Sequence, residues 1–384
     1  MSAPLAGLVV VSLEQAIAAP FATRQLADLG ATVIKVERPE GDFARHYDAY
    51  VHGLSSHFVW ANRGKQSVVL DLKDEQDRTM FDGLLAGADV FIHNVAPGSA
   101  ARLGLDLEGL VRDNAGLIAC ELSGYGIGGP RSDDKAYDLL VQAEAGAISV
   151  TGGDEMSKVG FSVADISAGM YALSGILAAL VRRERTGEGA VVRVSLLDSL
   201  VEWMSAPLYG AHFGPGQPSR TGRRHHGIAP YGIFPTRDGG TILLAVQNDR
   251  EWRRLADVFL GRAELGTDPR YATNPDRISR VDEVEELVRG RLDQLDRVAA
   301  LELLSRAGVA TAVVNDLAEV WELPQLRERG RFTDVQTPNG VVEMLASPFD
   351  ISDSDVAPGS VPALGEQQAT LSDPPRGWRS TSRR

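Results

Sequence analysis

The chain has 384 residues but only one cysteine, Cys120, and five lysines, at 35, 65, 73, 135 and 158; aromatic residues make up 6%. A single cysteine excludes an internal disulfide framework and any multi-cysteine zinc or iron–sulfur site. Its neighbours Leu117, Ile118 and Ala119 are apolar, which predicts a buried structural thiol. No uninterrupted apolar run reaches the roughly 18 residues that a membrane span needs. The start, Met1-Ser2-Ala3-Pro4-Leu5, lacks the charged-then-apolar pattern of a signal peptide, so a cytoplasmic location with no membrane partner is expected. Histidine is scarce. His225 and His226 are adjacent and cannot converge on one ion, and no His-x-x-x-His spacing occurs, so no metal is expected. Dinucleotide chemistry is equally poorly supported. Gly124-Tyr125-Gly126-Ile127-Gly128-Gly129 fits Gly-x-Gly-x-x-Gly, but Pro130 and a polar run follow it where a helix should open.

What is present describes an ordinary globular chain. Hydrophobic residues make up 43% and charged residues 24%, and the length suits two or three domains. The formal net charge of −13 argues against coating nucleic acid or an anionic membrane. It does not exclude a small anion held by a local basic patch.

Short β-branched runs at 7–13, 32–36, 67–72, 89–93, 116–122 and 190–195 read as strands. Helical patterns at 19–30, 74–86, 163–183 and 196–211 alternate with them, which predicts an α/β fold with a doubly wound parallel sheet. In such sheets ligands bind beyond the carboxyl ends of the strands. From 214 the composition turns to Gly, Pro, Arg and His. A hairpin over 231–246, charged helices at 249–259, 281–295 and 297–307, and a strand at 309–314 then form an α+β segment. A second hairpin is centred on Pro338-Asn339-Gly340, and 366–384 reads as a frayed or surface-draped tail.

Asp165 is the most conspicuous acid. It stands in Phe161-Ser162-Val163-Ala164-Asp165-Ile166-Ser167-Ala168-Gly169-Met170, at or near the start of a buried helix. One reading is an N-cap; the other is a partly desolvated carboxylate able to act as a nucleophile.

The order of several motifs resembles the class III CoA-transferases, the family of formyl-CoA and carnitine CoA-transferases. They are Gly30-Ala31-x-Val33-Ile34-Lys35-Val36-Glu37-Arg38-Pro39, Asn62-Arg63-Gly64-Lys65-x-Ser67, and Asn94-x-x-Pro97-Gly98. Lys135-Ala136-Tyr137-Asp138-x-x-x-Gln142, Ala164-Asp165-x-x-Ala168-Gly169 and Arg185-Thr186-Gly187-Glu188-Gly189 continue the series. The resemblance places Asp165 on the catalytic aspartate. It places Ala16, Ala18, Arg38, Leu70, Lys73, Asn94, Val95, Arg102, Lys135 and Tyr137 on or beside the CoA site. It implies a Rossmann-like large domain (1–212 and 323–384), a linker or active-site loop at 213–232, and an inserted smaller α+β domain at 233–322. It further implies an interlocked homodimer and a CoA thioester as substrate, with no permanently bound cofactor. The implied reaction moves CoA from an acyl-CoA, succinyl-CoA for instance, to a small carboxylic acid.

Two departures refine this expectation. Racemases of the same superfamily use a histidine where this chain has Tyr137. The glycine run of formyl-CoA transferase-like members is replaced by Arg223-Arg224-His225-His226-Gly227-Ile228-Ala229-Pro230-Tyr231. That loop argues against formate or oxalate and for a C4–C5 dicarboxylate such as itaconate, mesaconate or citramalate, with His225, His226, Gly227 and Tyr231 at the substrate. A 2-methylacyl-CoA racemase or epimerase and a non-catalytic acyl-CoA-binding protein remain as alternatives.

Overall fold

The computed structural model describes residues 3–354 and 358–372. In chain order the elements begin β1 (Val9–Leu13), α1 (Ala18–Asp28), β2 (Thr32–Glu37), α2 (Ser56–Asn62), β3 (Lys65–Val69), α3 (Glu75–Ala86), β4 (Val90–His93), α4 (Pro97–Arg102), α5 (Leu107–Asp113) and β5 (Ile118–Ser123). Next come α6 (Asp138–Glu144), α7 (Ala147–Val150), α8 (Val163–Thr186), β6 (Ala190–Ser195), α9 (Leu196–Trp203), α10 (Ser205–Phe213), β7 (Tyr231–Pro235), β8 (Thr241–Ala245) and α11 (Asp249–Arg254). The remainder are α12 (Asn274–Ser279), α13 (Val281–Leu292), α14 (Arg297–Arg306), β9 (Ala310–Val313), α15 (Leu317–Trp321), α16 (Pro324–Arg327), β10 (Phe332–Thr337), β11 (Gly340–Leu345) and α17 (Gln368–Ser372).

Six strands form one parallel sheet in the order β3-β2-β1-β4-β5-β6. Both faces are covered, which is why its strands read as continuous apolar runs. Val11, Ile34 and Phe91 pack with Phe81 and Leu84 of α3 on one face. Val10, Val33, Ile92 and Cys120 pack with α1 and α8 on the other. Cys120 is fully buried, and burial pushes its thiol far up, as a structural cysteine should behave. The order reverses between β1 and β4, so the switch point of the sheet lies at their carboxyl ends.

The chain divides into two compact units: Met1–Ala147, Val159–Ala206 and Gln325–Arg384 in one, Ile148–Lys158 and Pro207–Pro324 in the other. The second unit holds the antiparallel sheet β7-β8-β9 around a core of Phe234, Leu244, Trp252, Val284 and Leu304. Segment 148–158 joins it because Gly222 N–H donates to Gly152 O, and the Arg220 guanidinium donates to Gly153 O and Asp154 O. Those are backbone partners, which leave no signature in side-chain periodicity.

Several expectations are corrected. The helix predicted over 196–211 is two helices, because Pro207 has no N–H to donate and its ring opposes the carbonyl four residues back, on Trp203. The strand predicted at 67–72 begins at Lys65, a buried lysine that reads as surface in a sequence. α2, α4, α5 and α6 have seven residues or fewer and carry too little periodicity to be read. Helix α8 is, by length and composition, long and apolar enough to cross a membrane, despite the absence of a clean apolar run; 56% of its most apolar stretch is buried within the protein, as in a core helix.

The C-terminal segment, expected to fray or to drape over the surface, is anchored as far as it is described. β3 is an edge strand. Its outward N–H groups, on Ser67 and Val69, donate to the side-chain oxygens of Gln367 (2.7 Å) and Gln368 (2.8 Å), and Gln367 N–H returns a bond to Ser67 O. Residues 373–384 lie outside the described residues. Arg63, just before β3, ties the end of α1 to the end of β11. It grips Asp28 through Nε (3.0 Å) and Nη2 (2.9 Å), and donates to Leu345 O at 2.5 Å. Arg63 is only 2% exposed, so Arg63→Met leaves a buried carboxylate short of its main partner. The expected loss is about 3 kcal/mol of unfolding free energy, read from urea denaturation; a loss below about 1 kcal/mol contradicts that role.

Candidate active site

At the carboxyl ends of β1 and β4 the chain makes a turn, Glu14-Gln15-Ala16, before α1 begins. Asn94, just after β4, holds the turn through a reciprocal pair: Gln15 N–H donates to Asn94 Oδ1 (2.9 Å), and Asn94 Nδ2 donates to Gln15 O (2.8 Å). Ala16 N–H donates to Asp42 Oδ1 at 3.1 Å. Ala16 has φ +62°, a left-handed conformation in a residue with a Cβ. Such a conformation persists only where surrounding contacts overdetermine it. A cavity of about 50 Å³ opens beside this turn, lined among others by Leu13, Gln15, Val36, Arg38, Gly41 and Val95.

The fold therefore gathers Ala16, Arg38, Asn94 and Val95 at one place. Leu70 lies next to them in the sheet, its N–H bonded to Glu37 O. Leu70 and Ala18 are buried, each 2% exposed. Arg38, Lys73, Arg102 and Lys135 are exposed. They stand respectively after β2, before α3, on α4 and in the loop after β5, all on connections that leave carboxyl ends of the parallel strands. Gln15 and Asp42 belong to the same cluster. A polar residue directly after a strand was the available signal for Gln15; nothing marked Asp42.

Asp165 is the third residue of α8, and the N-cap position belongs to Ser162, whose side chain makes no capping bond. The N-cap reading of Asp165 is thus corrected. The first-turn amides are satisfied from another helix: Asp138 Oδ1 accepts from Ala164 N–H (2.8 Å) and, at 3.4 Å, from Asp165 N–H. Gln142, one turn further along α6, donates to Asp138 Oδ2 (2.7 Å) and accepts from Val159 N–H (2.9 Å). The Asp138-x-x-x-Gln142 spacing is a two-point clamp on the entry to α8. Gly169, one turn after Asp165, sets the depth of that helix. A Cβ there would lie 2.7 Å from Ala18 O and 2.9 Å from the Phe21 ring. The Ala-Asp-x-x-Ala-Gly motif thereby brings the helix that carries Asp165 against the first turn of α1.

Burial, reinforced by the neighbouring Asp138 carboxylate, pushes Asp165 up to about 7. Tyr47 reports the same negative surroundings. Burial first, then Asp42, Asp165 and Tyr137, push its phenol to about 12. Tyr47 stands just after a short 3-10 turn and packs edge-on to His57 at 5.5 Å. No motif announced it. Tyr137 is 63% exposed and directly precedes the clamp residue Asp138.

His225, His226, Gly227 and Tyr231 also come together, within the second unit. The His225 ring stacks on Tyr231 (4.9 Å, 10°) and on His226 (4.6 Å, 21°), and its Nδ1 accepts from Gly227 N–H at 3.1 Å. Burial, then His226, makes His225 harder to protonate.

Residues 5–368 match the model of CoA-transferase family III. The chain belongs to that family. This class III CoA-transferase is 37% identical over 375 residues to the acetyl-CoA:oxalate CoA-transferase of Acetobacter aceti, covering 96% of this chain and 95% of that one. It is 36% identical over 381 residues to the succinate–glutarate CoA-transferase of Agrobacterium fabrum, with 96% and 94% covered. Succinyl-CoA:mesaconate CoA-transferase of Haloarcula hispanica is 33% identical, with 95% and 94% covered. Among solved structures, a CAIB/BAIF family protein from Brucella suis superposes with a TM-score of 0.86 at 34% identity, covering 97% of this chain and 99% of that one. The relatives' names thus include oxalate, glutarate and mesaconate.

Two measurements follow from the geometry. Gly169→Val is expected to keep the far-UV dichroism of the parent while cutting CoA transfer about 100-fold or more, since displacements near 1 Å cost that much; full activity would show that the close approach is immaterial. Asp165 holds its proton more tightly in the folded chain than its ordinary value of 3.8, so the folded state binds the extra proton between about pH 4 and 7 and stability falls as pH rises through that window. Asp165→Asn is therefore expected to be more stable than the parent at about pH 8, with the difference vanishing toward about pH 4. Thermal unfolding at both pH values checks the sign.

Proposed function

We propose that Asp165 is the nucleophile of an acid-to-acid CoA exchange, with a small dicarboxylic acid as acceptor and a short acyl-CoA such as succinyl-CoA as donor. The Asp165 carboxylate attacks the thioester carbonyl; a C–O bond forms, the C–S bond breaks, and an aspartyl anhydride and CoA thiolate result. The thiolate attacks the aspartyl carbonyl and the donor acid leaves, so that the enzyme carries an aspartyl–CoA thioester. The acceptor carboxylate attacks that thioester, and the released thiolate takes the acceptor's acyl carbonyl, restoring Asp165. Thioester energy is kept in covalent intermediates throughout.

The observation that carries this reading is Asp165 itself: partly buried, pushed up to about 7 by burial and the Asp138 carboxylate, and carried by a helix pressed against the first turn of α1. Arg38, Lys73, Arg102 and Lys135 supply positive charge for the phosphates of CoA. Ala16, Ala18, Leu70, Asn94, Val95 and Tyr137 line the rest of the CoA site, partly through backbone. His225, His226, Gly227 and Tyr231 serve the distant carboxylate of the acceptor. The relatives' oxalate, glutarate and mesaconate widen the acceptor class from C4–C5 acids to dicarboxylates from C2 upward. Tyr137 in place of histidine removes one base from the two-base racemase alternative. The domain division at 213–232 and 233–322, the interlocked homodimer and the cytoplasmic location belong to the same reading and rest on the family resemblance.

Incubation with succinyl-CoA and a pool of dicarboxylic acids, with mass detection of new thioesters, identifies the acceptor. Asp165→Ala is expected to abolish exchange, and hydroxylamine is expected to trap the parent's adduct on Asp165; turnover by the variant refutes the mechanism. Because the attacking species is the carboxylate, kcat/KM for the donor is expected to fall about tenfold per pH unit below about pH 7.

A further inference from the structure

Beneath the Ala16 turn lies a group of charges with no assigned role. Glu14, Lys35, Asp42 and Lys65 are each 5% exposed or less. Lys65 Nζ uses all three of its hydrogens: on Glu14 Oε1 (2.6 Å), Pro20 O (2.9 Å) and Asn62 Oδ1 (3.0 Å). Lys35 Nζ donates to Asp42 Oδ2 at 2.8 Å and lies 3.5 Å from Glu14 Oε1. Glu14 Oε2 accepts from Thr23 at 2.7 Å. Buried ion pairs of this kind are replaceable by apolar residues with little loss, and often with a gain, of stability. Stability alone therefore does not explain two lysines in this core.

Position explains them better. Every strand of the cluster ends on the turn. Glu14 is its first residue. Asp42, held by Lys35 through one oxygen, accepts the Ala16 N–H through the other. Lys65 ties Glu14 to Pro20, in the first turn of α1. The left-handed Ala16 is the strained point these bonds surround. Burial draws the Lys65 ammonium down to about 7 against the pull of Glu14, a further cost borne at this one place.

We infer that Glu14 and Lys65 are positioning residues for CoA transfer, locking the β1–α1 turn in the shape that receives the acyl-CoA beside Asp165. The inference rests on the reading of that turn as part of the CoA site.

The test is a double-variant cycle with Lys65→Met, Glu14→Gln and both together, following kcat/KM for the acyl-CoA donor alongside the thermal midpoint. The single variants are expected to lose both activity, on the order of 100-fold, and stability. The double variant, with no unpaired charge, is expected to regain the parent's midpoint while remaining at least about tenfold less active. Recovery of activity in step with stability overturns the inference. Thr23→Val supplies a milder probe should those variants not fold. It removes one bond to Glu14 without changing charge, and is expected to lower the midpoint modestly while raising KM for the donor about threefold; an unchanged KM alongside a lowered midpoint counts against the positioning role. Failure of the transferase reading is separately visible, as a parent enzyme that yields no hydroxylamine adduct.

Discussion

The site depends on one carboxylate serving as the cap of a helix that is not its own. A helix start leaves its first amides without partners, and in α8 neither Ser162 nor Asp165 answers them with a side chain. Asp138 does so from α6. That arrangement frees the Asp165 side chain from a structural duty and leaves it available for chemistry. It also sets a second negative charge beside it, which together with burial keeps the Asp165 proton affinity close to neutrality. Under the proposed mechanism, a nucleophilic carboxylate of ordinary affinity would be fully ionised but weakly basic, and the raised affinity of Asp165 would trade some of the ionised fraction for basicity.

Close packing completes what the cap begins. Gly169 lets α8 approach the first turn of α1, and Gln15 and Ala16, just before α1, are tied to Asn94 after β4 and to Asp42 after β2. The positions that meet at the switch point of the sheet thus come from four separate stretches of chain. None of them touches another in sequence.

Much of this was legible beforehand, for physical reasons that differ by element. The parallel strands were readable because burial on both faces makes them continuous apolar runs. Asp165 stood out because an acid among small apolar residues is unusual. The short helices were not readable, since six or seven residues hold less than two turns of periodicity, whereas the break at Met204 did have a sequence signal in Pro207. Asp42 and Tyr47 were invisible because their roles depend on contacts between distant segments. Lys35 and Lys65 carried a misleading signal. Lysine usually marks a surface, yet two of the five in this chain lie in the core.

The glutamine amides on β3 have a reach beyond the site. A sheet edge is a template on which another chain can grow. Here the template is occupied by side chains from some 300 residues later in the same polypeptide. The segment that carries Gln367 and Gln368 covers an edge that would otherwise invite intermolecular strand pairing, and in synthesis it follows β3 by some 300 residues.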